Sequence, residues 1–70
     1  MPIMHPVRSS NLSYVGYDPE QRELHVTFAN GGTWVYSSVD QETYQNLLES
    51  DSPGGFLHRN IKGRYQERKE

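Results

Sequence analysis

The clearest periodicity in the chain runs from Arg22 to Ala29, where Leu24, Val26 and Phe28 alternate with Glu23, His25 and Thr27. Period-two alternation predicts a strand with one apolar and one polar face. Upstream, Ser9 to Asp18 reads as a first strand: Val15 and Tyr17 share a face, and Leu12 has the opposite parity, so it needs a bulge to join them. The two strands are joined at Asp18-Pro19-Glu20-Gln21, where proline presets the turn dihedral and aspartate closes the turn. Downstream, Asn30-Gly31-Gly32 is a strong hairpin signal. It leads into a third strand, Gly32 to Val39, in which Trp34 and Tyr36 fall on one side and Val35 on the other.

After Val39 the period changes to that of a helix. Ser38 to Gln41 fits a capping box, and Asp40 is itself a possible cap. Tyr44, Leu47 and Leu48 then form an apolar stripe on a helix ending near Ser50. Ser52-Pro53 opens a second helix, with Phe56, Leu57, Ile61 and Tyr65 as its stripe and Gly63 as its terminator. The pattern predicts an α+β fold of order βββαα, a three-stranded antiparallel β-meander covered on one face by two C-terminal helices. In this reading residues 1–8 are a flexible N-terminal arm, residues 9–65 the domain and residues 66–70 a charged tail. Either the third strand or the first is left as a sheet edge open to a partner.

Composition narrows what such a domain can do. A chain of 70 residues with 33% hydrophobic positions supports one small core, which is expected to take the rings of Trp34 and Tyr36. The opposite face, with Thr33, Val35, Ser37, His25 and Thr27, is expected to make a poor core. There is no cysteine, which fits a reducing compartment, and neither a signal-like start nor an apolar run of membrane-spanning length, so a cytoplasmic protein with no membrane partner is expected. The net charge of −2 conceals an asymmetry, because residues 1–55 sum to −5 and residues 56–70 to +3. The C-terminal end is therefore a basic segment on an acidic body.

The ordered set Ser10-Asn11-Leu12, Val15-Gly16-Tyr17-Asp18, Leu24-x-Val26-x-Phe28, Asn30-Gly31-Gly32, Trp34-Val35-Tyr36, Val39, Tyr44, Leu47-Leu48 and Phe56-Leu57 through Ile61-Lys62 resembles the KTSC domain. That family is named for an extension at the C-terminus of some lysyl-tRNA synthetases and also occurs as stand-alone bacterial proteins. Its central mark is an aromatic-x-aromatic motif, usually two tyrosines, of which the first is Trp34 here; Asp40 stands where a proline is common. The resemblance implies no established activity, and it implies RNA as a partner only through the association with a tRNA synthetase.

The candidate nucleic-acid contacts are Arg59, Lys62, Arg64 and Tyr65, in the basic segment. Trp34 and Tyr36 would stack bases only if exposed. His5, His25 and His58 have no metal-site spacing, the serines lie at caps and turns, and Ser52-Pro53-Gly54-Gly55 is better explained by capping than by anion binding. The expectation is a non-catalytic binding module without metal, cofactor or small-molecule substrate. Its partner is RNA (a tRNA or ribonucleoprotein) or, as the alternative, a protein or a second copy of the chain.

Overall fold

The computed structural model describes residues 2–70. Its sheet has five antiparallel strands in chain order: β1 (His5–Pro6), β2 (Leu12–Asp18), β3 (Glu23–Phe28), β4 (Thr33–Tyr36) and β5 (Glu67–Lys69). The three inner strands are those expected from alternation. The expected count of three is corrected to five, because the segments read as an arm and a tail each add a short strand. Met1, at the start of that arm, lies outside the described residues.

Local chemistry accounts for the meander. Asp18 Oδ1 accepts from the backbone N–H groups of Glu20 and Gln21 at 3.0 and 3.2 Å, which closes the first turn. Gly31 takes φ +100° between β3 and β4, the left-handed region that glycine enters without cost, and Asn30 Oδ1 accepts from Gly32 N–H at 3.1 Å. The register shift falls between Leu12 and Tyr14, as the parity of Leu12 requires.

Strand β4, one of the two strands considered as a free edge, is not one. It pairs with β3 on one side and with β5 on the other, in the register Trp34–Lys69, Val35–Arg68 and Tyr36–Glu67. Ser37 N–H donates to the Gln66 carbonyl and Glu70 N–H to the Thr33 carbonyl, each at 2.9 Å. The backbone groups of β4 thus find partners within the chain. The true edges are β1, two residues long and containing Pro6, and β5, whose Glu67, Arg68 and Lys69 are all exposed. Short, charged or proline-bearing edges resist pairing with another chain.

One face of the sheet is covered by helices. Helix α1 (Gln41–Glu49) is capped by Asp40, whose carboxylate accepts from Thr43 N–H at 2.9 Å and from its hydroxyl at 2.6 Å. Those bonds hold the Asp40 carboxyl below its usual range. Ser38 does not cap; it takes φ +60° just before the helix. Helix α2 (Pro53–Phe56) begins with Ser52 as cap, accepting from Gly55 N–H at 3.3 Å, and Pro53 in the first turn. It continues into a π-helical turn, Leu57–Ile61. Leu47, Leu57 and Ile61 close a core with Leu12, Val15, Leu24, Val26, Tyr36 and Val39. Leu48, expected in the stripe of α1, is instead exposed.

The centre of the second face is buried too, against expectation. Val35 is 0% and His25 7% exposed, although both point away from the helices. Beside His25 in the register lies Gly16, where a Cβ would stand 2.7 Å from Met4 Sδ and 2.8 Å from the Ile3 carbonyl oxygen. Residues 2–4 therefore cross this face as a strap against bare backbone. From the other side Arg68 Nη1 reaches Glu23 Oε2 at 3.0 Å, and Glu70 lies 3.6 Å from His25 Nδ1. The two ends of the chain cover what the helices leave open.

Candidate functional site: an aromatic cleft at the end of the π turn

The π turn decides where the basic segment begins. Lys62 N–H bonds back to the Leu57 carbonyl at 2.8 Å, five residues earlier. One extra residue per turn rotates the downstream chain by about 100° relative to an α-helix. Gly63, at φ +83°, then turns the chain away. Lys62 is thereby placed over the sheet, with Nζ 5.9 Å from the centroid of the Phe28 ring, within cation–π reach.

Lys62 forms one wall of a cleft of about 230 Å³, whose other walls are Phe28, Asn30, Trp34, Tyr36 and Glu67. Several separate segments contribute, and the strand registers bring them together. Val26 opposes Trp34, so Phe28, on the same face of β3, is diagonal to Trp34. Tyr36 opposes Glu67. Tyr36 is 1% exposed, as expected of the core. Trp34 packs against that core but is only half-buried, so one expected core ring is a cleft wall. Burial, and secondarily the Glu67 carboxylate, push the Tyr36 hydroxyl up to about 12, so it stays protonated.

The four sequence candidates do not converge. Lys62 lines the cleft. Arg59 folds back along α2, its Nη1 lying 3.2 Å from where a Cβ on Gly55 would stand. Arg64 Nε donates to the Arg59 carbonyl at 3.2 Å, and both arginines are exposed outside the cleft. Tyr65 is half-buried against the core. Arg68, counted in the same basic segment, is instead tied to Glu23, which holds that carboxyl below its usual range. Among the described residues it is the only lysine or arginine in an ion pair.

A second cavity, of about 310 Å³, lies toward the β1–β2 edge of the sheet, beside α1, between Ile3, His5, Tyr17, Pro19, Gln41, Tyr44 and Gln45. It has no lysine or arginine. Its tyrosines are stacked on each other at 5.2 Å, and Tyr17 donates its hydroxyl hydrogen to the Val39 carbonyl at 2.5 Å. Those rings serve the fold, which makes the first cleft the stronger candidate. Phe28, Asn30 and Glu67 are absent from the sequence candidates. The parity that Phe28 shares with Trp34 is a readable signal, whereas Glu67 depends on the unforeseen fifth strand.

The KTSC domain family matches residues 8–65. The chain belongs to that family. The crystal structure of a KTSC domain protein from Yersinia pestis superposes on this KTSC domain with a TM-score of 0.96 at 36% identity, covering 100% of this chain and 99% of that one. A protein of Tsukamurella paurometabola is 36% identical over 63 residues, 90% of this chain and 94% of its own length. An uncharacterized protein of Stutzerimonas stutzeri is 43% identical over 56 residues, 80% of this chain and 79% of its own. No helix among the described residues is long and apolar enough to cross a membrane.

Proposed function

We propose that this KTSC domain is a non-catalytic module that binds single-stranded RNA in the cytoplasm, with Lys62 and the cleft as its centre. The observation that carries the reading is a cation held at an aromatic cleft: Lys62 over Phe28, with the half-buried Trp34 opposite. Single-strand binders combine these two parts, because a phosphate needs a positive charge and an unstacked base needs a flat apolar partner. Arg59 and Arg64, exposed and within three residues of Lys62 in the chain, add positive charge to the same segment. The acidic remainder of the body confines a polyanion to this side.

Titration of labelled tRNA and of short single strands at two salt concentrations tests the reading. Binding is expected to weaken with salt by about 0.7 in log–log slope for each phosphate contacted on a single strand. Replacing Arg59, Lys62 and Arg64 together by alanine is expected to abolish it, with an unchanged melting profile as the control for folding. An absence of binding at low salt, or binding that survives the triple substitution, overturns the proposal.

A further inference from the structure

Within that RNA-binding reading, on which this step rests, the polar walls of the cleft are selective. Glu67 offers only acceptors, and its position opposite Tyr36 is fixed by the ladder between β4 and β5. Asn30 is held at the cleft by its bond to Gly32 N–H, and Lys62 supplies only donors. A flat ligand stacked on Trp34 thus meets a carboxylate from β5 together with an amide from the β3–β4 turn and an ammonium from the end of the π turn.

From this arrangement we infer that the cleft is a guanine subsite. The Watson–Crick edge of guanine carries two adjacent donors, N1–H and N2–H, followed by the O6 acceptor. A carboxylate accepts from both donors at once, and Asn30 or Lys62 donates to O6. Adenine and cytosine place a ring-nitrogen lone pair beside their single amino group, which would face the second carboxylate oxygen. Uracil flanks its one N–H with two carbonyl oxygens, so Glu67 would meet repulsion on either side. A polar group desolvated without a partner weakens binding, so the cleft discriminates against these three. Arg59 and Arg64, exposed and outside the cleft, are left for the sugar–phosphate, whichever base enters.

The test compares a uridine hexamer with the same hexamer carrying one central guanosine, with guanosine monophosphate alone as a further probe, using nuclear magnetic resonance and fluorescence of the single tryptophan. The guanosine-bearing strand is expected to bind about tenfold more tightly, the discrimination of one good bidentate base contact. Its binding should shift the Trp34 indole resonance. Glu67→Gln is expected to erase the preference while leaving uridine-hexamer affinity equal or higher, since a negative charge is removed. Trp34→Ala should weaken both strands. If the monophosphate shifts the same resonances at concentrations comparable with the hexamer, the free nucleotide is a ligand; if only the hexamer does, the source is a strand. Equal, salt-sensitive affinity for both hexamers overturns the guanine subsite and leaves RNA binding standing. Binding of neither overturns both. A preference that persists in Glu67→Gln also overturns the subsite.

Discussion

The two faces of the sheet are buried by different means. Under the helices, Leu24, Val26 and Tyr36 meet Leu47, Leu57 and Ile61, so apolar side chains meet from both sides. On the reverse face a strap of residues 2–4 lies on the bare backbone of Gly16, and an ion pair from β5 closes over His25 and Val35. The first face is built from side-chain volume. The second depends on close approach and on the chain ends, and its polar content has a cost: His25 Nε2 is buried without a hydrogen-bond partner, 3.6 Å from Glu23 Oε1. A strand's alternation tells which side is apolar, but burial depends on what lands there.

Three substitutions sharpen that contrast. On the helix-covered face, Leu24→Ala leaves a cavity among groups that cannot collapse into it, and chemical denaturation is expected to show a loss of about 2–5 kcal/mol. On the reverse face, Gly16→Ala drives a methyl into Met4 Sδ and the Ile3 carbonyl oxygen. The sulfur can move aside but the backbone oxygen cannot, so a loss of about 1–3 kcal/mol is expected, with detachment of the strap visible as faster amide exchange in β1. If Gly16→Ala costs nothing, the strap does not hold that face.

The smallest effect belongs to the ion pair. Arg68→Ala is expected to shift the denaturation midpoint at neutral pH less than either of the other two, because the arginine is largely exposed. Its pH dependence has a definite sign. The hydrogen bond from Arg68 lowers the Glu23 carboxyl below its ordinary 4.5, so the stabilisation is present above that value and disappears as pH falls through the lower folded one. Wild type and Arg68→Ala should therefore converge in acid. A gap that persists at pH values where Glu23 is protonated would mean that Arg68 acts through packing rather than charge.

The same contrast explains what is legible in the sequence. The alternation of Leu24, Val26 and Phe28, the Asn30-Gly31-Gly32 turn, the Asp40 cap and the Ser52-Pro53 helix start each carry their physics within a few residues, and each is readable. Glu67-Arg68-Lys69 has no apolar alternation and no β-favouring side chain, so its strand exists only because β4 offers unpaired backbone to it. His5-Pro6 is the same case at the other edge. At the cleft, charge points to Lys62 and spacing to the aromatic pair. The half-exposure of Trp34 is not legible, because it depends on where the π turn sends the chain after Ile61.

The three-residue ladder of β5 has a further consequence. Glu67 faces the cleft and Arg68 the opposite side only because neighbouring side chains in a strand point opposite ways. Deleting the exposed Gln66 and letting the ladder slide by one place would carry an arginine to where the carboxylate stands. The cleft would reverse polarity with every wall but one unchanged, and a pocket suited to donor edges would become one suited to acceptors.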